Sequence, residues 1–205
     1  MKIKRNKNKA VNAAFFFIPL RKLFSYRKFK WNAVNRHGVH SPFVYQLLEE
    51  VVYSKKHKPT IALSSKRKKE YQLYLGLLKH FNPQSIAISN RDVFFDALLQ
   101  QYKQSFCKDS DNLIITSDFP RFDADMIIVN KMEQDDFYFE LARKISTNCK
   151  SIVIFSPLGA SKEQLEKWAW FKKQSKAVIS LNFFTFGLLF YRKENLKQDY
   201  KIKYL

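Results

Sequence analysis

Glycine is scarce in this chain, with only four among 205 residues. A backbone that must pass close to a phosphate or a nucleoside usually does so at glycine, because a Cβ would stand in the way. No P-loop or nucleophile elbow is present. Cysteine is nearly absent: Cys107 and Cys149 form no C-x-x-C, which excludes a disulfide framework and a cysteine zinc site and fits a reducing compartment. No stretch reaches the roughly eighteen apolar residues that a membrane span needs. The basic start followed by residues 10–20 has the outline of a signal peptide. However, Asn12 and Pro19 interrupt it, Arg21 and Lys22 follow at once, and no small-residue cleavage site appears. The expected location is the cytoplasm, extending at most to the surface of the inner membrane.

Acidic residues are missing from one region above all. Residues 1–69 contain only Glu49 and Glu50 against 18 of the 37 Lys/Arg, a net +16. Residues 70–205 carry 19 bases and 16 acids, a net +3. A cationic block of this density favours an anionic partner, either nucleic acid or a lipid headgroup surface. Aromatics make up 16% of the chain and apolar residues 46%, enough for a real core. One domain with an N-terminal extension is expected: the extension at 1–36, and an α/β domain at 37–205 with N-terminal helices over 37–82 and a sheet core over 83–205.

Within the extension, Phe15, Phe16, Phe17, Phe24, Tyr26, Phe29 and Trp31 alternate with Arg21, Lys22, Arg27, Lys28 and Lys30. Interleaved bases and rings suit stacked nucleic-acid bases or a lipid interface; a helix docked on the protein's own core is the plainer alternative. Next comes HGVHSP, in which Ser41 is a good N-cap and Pro42 fits the first helical position. Val44, Leu47, Leu48, Val51 and Val52 then recur at helical spacing. His37 and His40 have no cysteine or carboxylate near enough to complete a metal-ligand pattern, so capping and packing account for the segment better. Residues 54–69 read as a basic linker carrying Lys55, Lys56, Lys58, Lys66, Arg67, Lys68 and Lys69. A helix follows through Tyr71, Tyr74, Leu75, Leu78 and Phe81, stopped by Asn82-Pro83.

Strand and helix signals then alternate. Strands are predicted at 85–89, 113–117, 125–130 and 151–155, with helices over 91–103 and 133–145. A further helix opens at Ser161 in a capping box with Gln164, burying Leu165, Trp168 and Ala169. The strands are short, apolar and turn-bounded, as in a parallel sheet covered on both faces. Residues 177–192 read as an antiparallel pair closing the sheet edge. Asp135-Asp136 and the Asp109/Asp111 pair suit helix-start and loop positions better than catalysis, and His57 and His80 suit the surface.

HGVHSPFVYQLLEEVVY at 37–53, DMIIVN, SIVIF with SKEQLEKW, and the closing LNFFTFGLLFYRKEN together resemble class I S-adenosylmethionine-dependent methyltransferases of a group familiar from Bacteroidetes-type bacteria. The first and last of these segments carry the specific likeness, which runs from about residue 37 onward. It implies a Rossmann-like sheet ending in a reversed hairpin. In such enzymes the first strand runs into an acid and a glycine-rich turn, whereas this chain has Ser89 and Asn90 with no acid before Asp92. The family's Asp-Gly after a later strand corresponds to Asn130-Lys131, and its paired aspartates to Ser156-Pro157. One strand–helix unit between Ser85 and Asn130 is reduced or lost. Asp118 and Asp123 are the remaining candidates for a ribose-holding acid. The resemblance therefore implies a degenerate cofactor site at Ser89, Asn90, Asn130 and Ser156, with no catalytic residue and no metal.

The reading that follows is a non-catalytic methyltransferase-like protein whose basic region binds RNA or a ribonucleoprotein, or failing that an acidic protein or an anionic membrane surface. Its candidate contacts are Arg21, Lys22, Arg27, Lys28, Lys30, Trp31, Lys55, Lys56, Lys66, Arg67, Lys68 and Lys69. The alternatives are an active enzyme binding S-adenosylmethionine through an atypical loop, and a structural subunit of a larger complex.

Overall fold

The structure is a computed structural model. It describes residues 20–54, 58–106, 113–116, 123–130, 135–145, 151–156, 158, 161–191 and 196–204, without the side chains of residues 20–25 and Lys66. Contacts divide the chain into two units, Met1–Asn32 and Ala33–Leu205. The first contributes helix α1 (Leu20–Asn32), which begins one residue after Pro19, so the proline does not interrupt it. The Asn32 side chain closes its last turn by donating to the Lys28 carbonyl at 3.1 Å.

The second unit opens on residues that the sequence reading assigns to the extension. Val34 forms a parallel bridge with Ile202, and Asn35 caps the short 3₁₀ turn Arg36–Gly38 by accepting from the His37 N–H. Ser41 then caps α2 (Pro42–Leu47), its hydroxyl accepting from Val44 N at 3.4 Å, with Pro42 in the first turn as predicted. The helix runs on into a π turn over Leu48–Val52, closed by Tyr53 N–H to Leu48 O at 2.8 Å. Val44, Leu47, Leu48, Val51 and Val52 are all buried.

Helix α3 (Ser65–Phe81) starts inside the stretch expected to be linker, so Lys66, Arg67, Lys68 and Lys69 are helical. Lys and Arg are strong helix formers, and a run of them extends a helix whose buried part lies further on. Asn82 ends α3 in the left-handed region at φ 44°, its N–H returning to Leu78 O.

The remaining elements alternate. They are β1 (Ser85–Ser89), α4 (Val93–Phe106), β2 (Ile114–Thr116), β3 (Met126–Asn130), α5 (Asp135–Ile145), β4 (Ile152–Ser156), α6 (Lys162–Gln174), β5 (Ile179–Asn182), β6 (Gly187–Phe190) and β7 (Gln198–Lys201). They build one seven-stranded sheet in the order β2-β1-β3-β4-β6-β5-β7. β2, β1, β3 and β4 are mutually parallel, β6 runs antiparallel to both β4 and β5, and β7 is parallel to β5. Alternation along the strands separates two cores. Ile86, Ile88, Met126, Ile128 and Ile154 pack with α2, α3 and α4 on one face. Ala87, Ile127, Val129, Val153 and Phe155 pack with α5 and α6 on the other. This is a doubly wound α/β sheet, mostly parallel.

Two details differ from the expectation. The β5–β6 hairpin is present but does not close the sheet: β6 lies inside against β4, and β7 forms the edge beyond β5. QDYK has no apolar run to mark it as a strand: Tyr200 packs against the core, while Asp199 and Lys201 are exposed. Asp199 of β7 lies against Lys172 and accepts from the Ser180 hydroxyl at 2.6 Å. Burial pushes its carboxyl up, but these two partners outweigh that and hold it below the usual range. In α6, Ser161 does cap the helix through Gln164 N at 3.1 Å, yet Leu165 and Ala169 are exposed, and Trp168 and Phe171 form the buried face.

Trp168 lies directly over Gly187, the first residue of β6, where an added Cβ would sit 2.5 Å from the indole. Gly187→Ala should therefore cost about 1–3 kcal/mol through overpacking, seen as a lowered urea midpoint with unchanged slope.

Candidate functional site

The chain winds in two directions from the middle of the sheet. From β1 it crosses by α4 to β2 on one side; from β3 it crosses by α5 to β4 on the other. Loops leaving the C-terminal ends of β1 and β3 therefore diverge, and this switch point is where open α/β sheets bind ligands. Three of the four positions attributed to a degenerate cofactor site meet here in sequence register. Ser89 ends β1, Asn90 follows it, and Asn130 ends β3, while Ser156 ends β4 directly beside Asn130.

The crevice is bridged. The Ser89 hydroxyl accepts from Asn130 N at 3.0 Å and donates to Asn130 O at 3.4 Å. The Asn130 side chain then reaches across, its Nδ2 donating to Asn90 O at 2.8 Å. Asn90 takes the left-handed conformation, φ 49°, that its residue type tolerates. Ser89 and Asn130 are both buried. Asp92, the first acid after β1, is used locally: its carboxylate accepts from Phe94 N and Phe95 N and starts α4.

Aromatic rings gather around Tyr74, whose hydroxyl lies near Ser156 at the end of β4. Phe94 meets Tyr71 and Tyr74 edge to face at 5.5 and 6.1 Å, and Tyr74 also contacts Phe95 and Phe186. The Tyr74 hydroxyl is buried, with no hydrogen-bond partner among the described residues. Burial drives its pKa well above the ordinary phenol value, and nearby Ser156 moderates the rise. Tyr74 falls on a predicted helix face and Phe94 in the next helix, and no periodicity in the sequence connects the two.

Asp123 does not supply the missing acid. It lies just before β3, at the opposite end of the strands from Asn130, and lines a small cavity of about 220 Å³ with Ser85 and Ile114. Asp118 and Lys131 fall outside the described residues. Only residues 117–125 separate β2 from β3, fewer than the dozen or more that a parallel crossover usually takes.

The candidate anion-binding residues fall into two groups. On α1, Arg27, Lys28 and Lys30 are exposed and Trp31 is 91% exposed. Arg21 and Lys22 belong to the same helix, their side chains outside the description. At the start of α3, Lys68 and Lys69 are exposed, whereas Arg67 is engaged, 3.6 Å from Glu70 and 4.9 Å from the Phe94 ring centre. The Lys66 side chain, Lys55 and Lys56 lie outside the described residues.

Asn130→Asp tests the bridge. It replaces a buried donor with an acceptor aimed at the Asn90 carbonyl, at a cost of about 1–3 kcal/mol at pH 7. Facing a carbonyl raises the new carboxyl's folded pKa, so the protonated form restores the donor. The gap to wild type in urea unfolding should therefore narrow as the pH falls toward 4 and widen as it rises. Compared with protein-family models, with curated proteins and with solved structures, the chain matches none.

Proposed function

We propose that this chain is a non-catalytic, methyltransferase-like protein that binds RNA through its basic N-terminal helix. The observation that carries the proposal is on α1: Trp31, 91% exposed, stands one turn from the exposed Arg27, with Lys28 and Lys30 beside them. Residues four apart share a helix face, so guanidinium and indole present together. That pairing suits a single strand, where cations follow the phosphates and an aromatic plane accepts a base. A helix lying in a membrane surface separates its charges and rings onto opposite faces, and α1 does not.

The non-catalytic part rests on the switch point. Four parallel strands followed by a reversed hairpin are what the resemblance to class I methyltransferases implies, which supports the family reading. The S-adenosylmethionine cradle would need an acid and a close backbone approach, and at those positions the Asn130 amide spans to Asn90. The side chains present do not fit the cofactor.

Titration calorimetry with S-adenosylmethionine should show no binding heat; a low-micromolar Kd would favour an active enzyme instead. For RNA, anisotropy with a labelled single-stranded oligomer should give log affinity falling linearly with log salt. Replacing Arg27, Lys28 and Lys30 by alanine should reduce that slope by about two. Trp31→Ala should weaken binding by about 1–3 kcal/mol without changing the slope. An affinity indifferent to salt, or to all four changes, would remove the proposal.

A further inference from the structure

One groove reverses the charge of the molecule around it. It runs between α5 and α6, about 530 Å³ in volume, in a chain whose net charge is +19. Asp135 and Asp136 line it from the first turn of α5, Glu163 and Glu166 from α6, and Lys167 is the one cation among its described lining residues.

We propose that this groove docks a lysine- or arginine-rich segment of a partner protein. Lys167 already shows how an ammonium is held there. Its Nζ lies 2.8 Å from Asp135, 3.5 Å from Glu163 and 5.3 Å from the Tyr138 ring centre. The hydrogen bond to Asp135 is the main reason that its pKa is raised. Asp136 has no ion pair among the described residues, and Glu166 has only Lys162, 3.4 Å away and 86% exposed. Asp136 is thus left for an incoming cation, and Glu166 can exchange its exposed Lys162 partner for one.

The groove also supplies surface for the rest of such a segment. Phe139 is 59% exposed and Trp170 38%, their rings 6.4 Å apart and tilted by 33°. Aromatic faces flanked by carboxylates receive both the aliphatic stem and the charged head of Lys or Arg. Phosphates would be repelled here, which separates this surface from the RNA-binding one. The proposal does not rest on the RNA reading.

The protein's own charge favours selectivity, since a chain at +19 gives a polycation little non-specific attraction. Nuclease-treated full-length protein is titrated with fluorescein-labelled octalysine and followed by anisotropy. Saturable, salt-sensitive binding is expected. The double variant Asp136→Asn/Glu166→Gln should bind about tenfold more weakly, and Trp170→Ala about fivefold more weakly. The double variant alters only surface carboxylates, so its circular dichroism should match wild type and its result stands even if Trp170→Ala misfolds. No saturable binding, or equal binding by the double variant, overturns the proposal. A wild-type dimer in sedimentation that the double variant dissociates would also overturn it, by making the occupant a second copy of this chain.

Discussion

Two serines hold β1 against β3, one at each end of the ladder. At the lower end, the Ser85 hydroxyl donates to Asp125 Oδ2 at 3.0 Å and accepts from Asp125 N at 2.9 Å, while the same carboxylate oxygen accepts from Gln84 N and Ser85 N. At the upper end, Ser89 bonds both backbone groups of Asn130. Each bond contributes on the order of 1 kcal/mol, but their larger effect is on register. A slip of one residue would turn Ile86 and Ile88 from the α2–α4 side to the α5–α6 side. β2 is built on β1, β4 on β3, and the hairpin on β4, so the whole sheet takes its alignment from this pair.

The same pairing decides what the switch point can do. With Ser89 committed to the Asn130 backbone, the Asn130 side chain is left directed at the Asn90 carbonyl, and the two loops are joined where they would otherwise part. Glycines there would leave space and mobile backbone; a serine and two asparagines leave a satisfied polar bridge. The bridge is therefore polar, and the rings around Tyr74 belong to other elements.

Most strands and helices were legible because local signals agreed. SIAIS, DMIIVN and SIVIF are short apolar runs between turns, and Ser41 and Ser161 are caps that each find the predicted N–H. What escaped notice depended on distant partners. β7 is polar, and only its pairing with β5 and the bridge from Ile202 to Val34 make it a strand. Of the face predicted for α6, Trp168 is buried over Gly187, but Leu165 and Ala169 are exposed and Phe171 takes their place. Ser89, Asn90 and Asn130 are legible as strand-end residues, but the Asn130–Asn90 bond joins positions that no periodicity connects. The α5–α6 groove was hidden for a similar reason: Asp135 and Asp136 read as ordinary helix-start carboxylates until a second helix stands opposite them.

The bridge between Val34 and Ile202 bears on how the domain is completed. Val34 N donates to Lys201 O at 2.7 Å and Lys203 N to Val34 O at 2.9 Å, while Tyr53 donates to Lys203 O and Tyr204 to Lys69 O. Residues 34, 53 and 69 thus find their partners more than 130 positions further along the chain. Loop closure over such a span is slow relative to local helix formation. The sheet edge is thus completed by residues 198–204 bonding to segments more than 130 positions before them, contacts whose large sequence separation slows folding.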